Sequence, residues 1–561
     1  MRRFSIVIYS VLALALAAGA LLVWRGGPSK TTIAPAQQEG NRYGYFLSSW
    51  RASVMNDFPT FIEIYPEAAR QSTDYAERLF MTEMLRGDEE AAKAAAANML
   101  KERPSHVLAA IYLSYLSFKD GKYDEADKRL KNLGSTGNNF MVKILRAWTR
   151  AAMNDYDAAL DLLENEADKR AFEKITTMHL GLLTAQVDNN IYASQMFEDA
   201  AGMPIDIFDL ENIAGYHTAQ KRPEKARRAV VEALAQSPSS ISVAALLKRM
   251  DKGWNPPAID TPRKGYAKAL FDLSSLAFAV NKNQPSETYM FYLKMALDIA
   301  PDMEIARLMK AEAYRKAGRP DVYKTLTDQI PAAHHLKPIA RMGWAQELLA
   351  RGDRSGLNIL KNMIKDNPTI MQPYIHLGDF YRKHGKYKKA IKWYSRGIDA
   401  NASSALLPET KLVRAMAYEL SDKEDLAQKD LEEAAAKSQL PELMNYYGYF
   451  LINRGTDVDK GLRFIQIALS AEPTNPYYLD SYGWAYYKKG DFTEALRLME
   501  YAYALSPGNP VILSHLGDAY WETGRHAEAK FAWRKALANL DNNKFVEHLD
   551  ESDLHSKLAR E

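Results

Sequence analysis

Residues 479–537 read LDSYGWAYYKKGDFTEALRLMEYAYALSPGNPVILSHLGDAYWETGRHAEAKFAWRKAL. One arrangement occurs twice in this stretch. Leu479, Tyr482, Gly483 and Tyr486 stand at offsets 0, 3, 4 and 7, and Leu513, Leu516, Gly517 and Tyr520 repeat them 34 residues later. Such offsets share one face of a helix, so each set predicts an amphipathic first helix. A turn glycine follows, Gly490 or Gly524. A second set then stands at offsets 0, 4 and 7: Ala495, Met499 and Ala502, or Ala529, Trp533 and Ala536. Small residues let two helices approach and large ones fill the remaining space, so each unit predicts a helical hairpin. Pro507 stops the second helix of the earlier unit.

The pattern extends outward. Upstream, Tyr374, Leu377, Gly378 and Tyr381 are followed by Gly385 and then by Ala390, Tyr394 and Gly397. Further back, Ala92, Ala126, Ala159, Ala193 and Ala226 are separated by 34, 33, 34 and 33 residues. Pro104, Pro238, Pro301, Pro368 and Pro473 mark further helix ends. A period in this range predicts an all-α solenoid of stacked hairpins. The earlier units are looser: Phe80 or Ser114 stands at the first-helix glycine position, and Asn154 or Asp188 at the turn glycine.

These residues resemble the tetratricopeptide repeat, a 34-residue helical hairpin with Leu-Gly and Tyr in its first helix, Ala and an aromatic in its second, and a terminal Pro. The matches are Leu377-Gly378-x-x-Tyr381, Tyr482-Gly483-x-x-Tyr486 with Pro507, and Leu516-Gly517-x-x-Tyr520. The resemblance covers nearly all of residues 43–540. It implies a right-handed superhelix whose concave groove, lined by first helices, takes protein partners. Residues 479–537 also look like the C-terminal part of exported tetratricopeptide proteins of alphaproteobacteria. One subclass of the family grips a C-terminal carboxylate with Lys and Asn. Here those positions hold Ile375 and Asp379, Asp480 and Trp484, or Ser514 and Asp518, so that specificity is not implied.

Phe4 to Trp24 carries no charge, close to the ~20 residues that cross a bilayer as a helix. Arg2 and Arg3 before it favour a cytoplasmic N-terminus with the remainder exported. Residues 1–25 therefore read as a signal anchor in a bacterial inner membrane, with the repeats in the periplasm. The alternative is a signal peptide cleaved after Ala18-Gly19-Ala20, leaving a soluble periplasmic chain that starts with the apolar Leu21 to Trp24. Residues 26–42 read as a flexible tether, 43–251 as an N-terminal array and 252–265 as a proline-rich linker dividing two superhelical halves. Residues 266–540 read as the C-terminal array and 541–561 as a polar capping tail.

Composition mostly excludes. The chain has 561 residues, 73 Lys+Arg against 70 Asp+Glu, a net charge of +3, 47% hydrophobic residues and no cysteine. These values exclude global disorder and a polytopic membrane protein. Disulfides, thiolate zinc sites and iron–sulfur clusters are excluded too. The histidines are scattered apart from His334-His335, a proline-flanked pair that reads as a solvated turn. Gly121-Lys122 and Gly385-Lys386 lack the spacing of a phosphate loop, and neither G-x-S-x-G nor H-E-x-x-H occurs. No catalytic residue, metal site or cofactor is expected, nor a small-molecule substrate.

Two surfaces remain as candidates. Arg382, Lys383, Lys386, Lys388, Lys389, Lys392 and Arg396, interleaved with Tyr387, Trp393 and Tyr394, form a basic unit that could take anionic lipid or nucleic acid. The next unit carries Glu419, Asp422, Glu424, Asp425, Asp430, Glu432 and Glu433, so the preferred reading is charge pairing between neighbouring repeats. The second surface is the first-helix face of the last units: Tyr446, Tyr449, Tyr477, Asp480, Trp484, Tyr487, Lys488, His515, Asp518 and Trp521. Tyr and Trp combine large apolar area with a polar tip, which suits capture of a partner peptide or helix. The alternative is packing of these aromatics between adjacent first helices.

Overall fold

The computed structural model describes residues 76–560 except 134–139, 168–171, 188, 204, 238–239, 282–284, 541–548 and 550. The Phe4–Trp24 segment and the tether lie outside the described residues. No described helix is long and apolar enough to cross a membrane.

The described residues form 28 α-helices and no strand. Five hairpins come first: α1 (Ala76–Arg86) with α2 (Glu89–Glu102), α3 (Val107–Lys119) with α4 (Tyr123–Lys131), α5 (Phe140–Ala152) with α6 (Tyr156–Ala167), α7 (Glu173–Ala185) with α8 (Asn190–Ala201), and α9 (Ile207–Ala219) with α10 (Pro223–Gln236). A single helix α11 (Ile241–Met250) precedes the hairpin of α12 (Pro262–Val280) and α13 (Glu287–Ile299). Then come α14 (Glu304–Lys316) with α15 (Pro320–Asp328), α16 (Lys337–Ala350) with α17 (Ser355–Asp366), α18 (Gln372–Lys383) with α19 (Tyr387–Ala400), and α20 (Leu407–Glu419) with α21 (Glu424–Ala435). The last pairs are α22 (Pro441–Arg454) with α23 (Val458–Ala471), α24 (Pro476–Lys488) with α25 (Phe492–Leu505), and α26 (Pro510–Glu522) with α27 (His526–Leu540), followed by α28 (Glu551–Leu558).

Within a hairpin the small-residue positions set the helix spacing. The alanines at 92, 126, 159, 193 and 226 are fully buried. A Cβ on Gly378 would meet Tyr394 Cε1 at 2.2 Å, and one on Gly517 would meet Trp533 Nε1 at 2.3 Å. The first-helix glycine is therefore the socket for the second-helix aromatic. Burying such a ring contributes about 1.5–3 kcal/mol, which supplies much of each unit's stability. Chain reversal needs a left-handed residue: Gly490 takes φ 83°, and Asn154, where the sequence departs from glycine, takes φ 61°. Asn475 and Asn509 cap α24 and α26, each followed by proline in the first turn, where no N–H is needed.

The linker reading needs correction. Only residues 252–261 are non-helical or turn, while Pro262 to Gly265 already belong to α12, capped by the Thr261 hydroxyl. The segment also does not divide two halves. It crosses α9 so closely that a Cβ on Gly215 would lie 2.3 Å from Pro257 O, and it turns the chain back onto the first five hairpins. There α12 packs on α5 and α7, and α13 packs on α1. Phe118 stacks on Tyr266 at 3.8 Å, Phe80 meets Phe291 edge-on at 5.9 Å, and Tyr115 donates to Asp298 at 3.0 Å. One hydrophobic core consequently runs from Phe80 to Ala313. The reason lies in α12 itself, buried on every side from Gly265 to Ser274. A helix with no polar face must be enclosed.

At the other end α28 closes the solenoid. Leu554 is fully buried against the Leu513, Trp533 and Ala536 cluster, and Lys557 pairs with Asp518 at 2.8 Å.

Candidate functional site

The first-helix face of the N-terminal hairpins is occupied by the chain's own α12–α13, and a buried polar network registers it. Lys268 Nζ, 1% exposed, lies 2.8 Å from Asp272 Oδ2 on its own helix and 2.9 Å from Asp209 Oδ1 on α9. Asp209 also receives Lys174 of α7 at 2.8 Å. Trp148 Nε1 donates to His179 Nδ1 at 2.8 Å, so the other ring nitrogen, 2.8 Å from Asp272, is the one that donates. Burial keeps His179 below its ordinary pKa and hence neutral. Burial alone would raise the Asp209 carboxyl, but Lys268 and Lys174 outweigh it and hold the group low, at about 2. Sequence reading missed this network because its members come from α5, α7, α9 and α12.

Among the described residues, the C-terminal first-helix face carries no such insert. Here α22, α24 and α26 pack on their own second helices, on the second helix of the preceding hairpin and on one another. The structure brings most of the expected groove residues together, but as a seam between first helices. Asp480 Oδ2 holds His515 Nδ1 at 2.8 Å. The His515 ring stacks on Trp484 at 4.2 Å, Trp484 stacks on Tyr487 at 4.8 Å, and Tyr449 lies 6.2 Å from His515. Asp480, Trp484, His515 and Asp518 are buried, so the expectation of ten open groove residues is corrected. Stacked rings and a buried carboxylate–imidazole pair satisfy one another first. Tyr446 is likewise committed, its hydroxyl bonded to Glu419. Asp518 accepts from Trp533 Nε1 at 3.1 Å as well as from Lys557, and Trp521 stacks on His526 at 4.2 Å.

What the seam leaves open is specific. Tyr477 is 56% exposed at the start of α24. Lys488 is exposed at its end, with Nζ 5.0 Å from the Trp484 ring. Beneath Lys488, Trp484 Nε1 and, one turn earlier, Asp480 Oδ1 have no hydrogen-bond partner, and Asn445 Oδ1 on α22 has none either. A buried polar atom without a partner costs about 1–3 kcal/mol, so one donor and two acceptors stand ready for an incoming group. Burial and the Asp518 carboxylate push the Tyr487 hydroxyl up to about 12, so it stays protonated and able to donate.

The basic unit differs from its expected role. Lys383, Lys386, Lys388, Lys389, Lys392 and Arg396 are exposed, and none has an acidic partner among the described residues. Arg396 stacks over Trp393 at 4.5 Å and Lys389 over Tyr381 at 5.6 Å. The acidic unit spends its charge elsewhere: Asp430 on Arg414 at 2.7 Å, Glu433 on Lys411, and Glu424 on Arg454 at 3.0 Å. Pairing within the α20–α21 hairpin and with α22 wins because those groups face each other across one interhelical gap. Arg382 alone turns inward, 3.3 Å from the Tyr394 hydroxyl.

Residues 372–404 and 486–543 match tetratricopeptide repeat family models. Both segments are similar to the tetratricopeptide repeat. No enzyme family is indicated by these matches, and no curated protein is similar to the sequence. Among solved structures, the chain is similar to an APC/C Cut9–Hcn1 hetero-tetramer at 14% identity, covering 92% of this chain and 96% of that one, with a TM-score of 0.40. It is similar to a tetratricopeptide repeat protein from Parabacteroides merdae at 14% identity over 46% and 97%, TM-score 0.35. It is also similar to yeast Tom70 at 14% identity over 92% and 94%, TM-score 0.28. These likenesses concern the helical-repeat fold alone.

Proposed function

We propose that this chain is a non-catalytic protein-binding scaffold that docks an extended peptide or a helix end on the first-helix face of α22, α24 and α26. One contrast carries the choice of face. The equivalent face of the N-terminal hairpins is filled by α12–α13, whereas the C-terminal face ends in exposed Tyr477 and Lys488 above unpaired Trp484 Nε1 and Asp480 Oδ1. A backbone amide has the matching pair, a carbonyl to accept from the indole and an N–H to donate to the carboxylate. Tyr477 supplies apolar area beside it. The uncharged Phe4–Trp24 run preceded by Arg2 and Arg3 supports placement of the repeats at the outer face of a bacterial inner membrane, with envelope proteins as partners.

The test is in vivo crosslinking from photoreactive residues at Tyr477 and Lys488, followed by identification of captured proteins. Trp484→Phe keeps an aromatic ring in the stack while removing the indole N–H and part of the ring area, and it should reduce capture by about tenfold at unchanged helical content. Capture unaffected by Trp484→Phe and by Tyr477→Ala together would reject the assignment of this face. A reporter fused after Glu561 that works only in the cytoplasm would reject the exported orientation.

A second reading has its own observation: six exposed cations on α18–α19 lack acidic partners among the described residues. As a binder of anionic lipid or nucleic acid, this unit would lose its ligand between low and moderate salt.

A further inference from the structure

Between α9 and the loop that joins α15 to α16, three side chains converge from positions far apart in sequence. Glu211 lies on α9, and His334 with His335 lies on the loop. One ligand-competent atom from each falls within 4.8 Å of the other two, and His335 Nε2 is 3.6 Å from Glu211 Oε2. The solvated-turn reading of the histidine pair is thus corrected. Leu336 packs into a core with Leu308, Ile330 and Ala340 and carries the loop inward, leaving His335 2% exposed and stacked on His334 at 4.4 Å.

The environment is costly without an occupant. Neither ring nitrogen of His335 has a hydrogen-bond partner despite its burial. The Glu211 carboxylate is buried as well, and that burial pushes its pKa up to about 7. Burial also holds His334 at about 4, so its ring is neutral, as a ligand must be. Trp254 closes one side, 6.1 Å from His335, under the Arg249 guanidinium at 3.5 Å. This cluster lies outside the partner-binding face.

We infer that Glu211, His334 and His335 form a binding site for one first-row divalent metal ion, with zinc as the best match to its donors. Two imidazoles, which are borderline donors, beside one hard carboxylate suit zinc, cobalt or nickel better than calcium or magnesium. In a tetrahedral site with bonds of about 2.0–2.2 Å, ligand atoms are about 3.3 Å apart. The Glu211–His335 spacing already approaches that value, and no separation needs to close by more than about 1.5 Å. His334 Nδ1 accepts a 3.3 Å bond from Leu336 N–H. Ligation through either ring nitrogen gives that bond up, a loss of one long and weak interaction. Because α11 also packs on α16 at this junction, a bound ion would tie the N-terminal block to the first helices of the later array.

Cobalt(II) and zinc titrations of the full chain test this. The expected result is one ion per chain, a tetrahedral cobalt absorption band displaced by zinc, and a zinc-dependent rise of several degrees in the melting temperature. Glu211→Gln preserves shape, His334→Ala alters a half-buried ring, and each should weaken zinc by more than about 100-fold. His555→Ala, in the exposed terminal helix, should bind as the parent does. Absence of stoichiometric cobalt and zinc binding by the parent chain overturns the proposal. So does retention of binding by both Glu211→Gln and His334→Ala.

Discussion

Lys268→Met tests whether the α12–α13 insert is registered by its buried charges. Methionine keeps most of the stem volume and removes the ammonium. Asp209 would then keep only Lys174 at 2.8 Å, and Asp272 would keep only neutral His179. Removing one partner of a buried ion pair costs about 3–5 kcal/mol, because the remaining charge is stranded. For a cooperative unit of about 150–250 residues each kcal/mol moves the melting temperature by about 2–4 °C, so the Phe80–Ala313 core should melt about 6–20 °C lower at pH 7. The pH dependence has a definite sign. Asp209 is held at about 2 in the fold, below the ordinary carboxylate value of about 4. Its stabilisation is therefore complete above about pH 4 and lost as the pH falls toward 2. Around it stand Lys174 on α7, Asp206 before α9, and Lys268 and Asp272 on α12, with His179 next to Asp272. In the variant Asp209 loses one of the two lysines that hold it low and takes up its proton more readily, so the gap between variant and parent should narrow as the pH falls. Thermal melts followed by circular dichroism, with hydrogen exchange of α12 to locate the loss, measure both quantities. Adding Asp272→Asn, which neutralises one stranded carboxylate, should recover part of the loss. A Lys268→Met chain that melts within about 2 °C of the parent at pH 7, with no pH-dependent gap, would refute registration by charge.

Gly265→Ala places a Cβ 2.1 Å from the Trp148 ring and should destabilise the same core by about 1–3 kcal/mol, whereas Gly508→Ala, with nothing within 4 Å, should be near neutral in denaturant melts. Leu554→Ala removes the buried anchor of α28 and should release that helix, read as lost hydrogen-exchange protection in α28 with the α24–α25 hairpin unchanged. Replacing Lys386, Lys388, Lys389 and Lys392 by Glu should abolish any low-salt retention on anionic vesicles and leave capture at Tyr477 intact.

The hairpin unit was legible in the chain because its determinants are local. Gly378 and Tyr394, or Gly517 and Trp533, meet within one repeat, and a period of 34 residues displays that pairing many times over. At Asn154 the sequence departs from the turn glycine and the unit looked looser, yet the chain still reverses there because a left-handed position tolerates asparagine. The routing of the chain was not local. Asp272 meets His179 across 93 residues and Tyr115 meets Asp298 across 183, so the return of α12–α13 onto the first hairpins depends on partners no window contains. The same holds for the candidate sites. Groove aromatics looked open because helix periodicity tells which face a residue occupies but not what the adjacent helix presents to it. Stacking of Trp484 with His515 and Tyr487 closed most of that face, leaving one donor and one acceptor on α24 unpaired. His334 and His335 looked like a solvated turn until packing of Leu336 drew them against Glu211. Side-chain periodicity is a property of one helix, whereas burial, pairing and convergence of ligands arise only when distant helices share a volume.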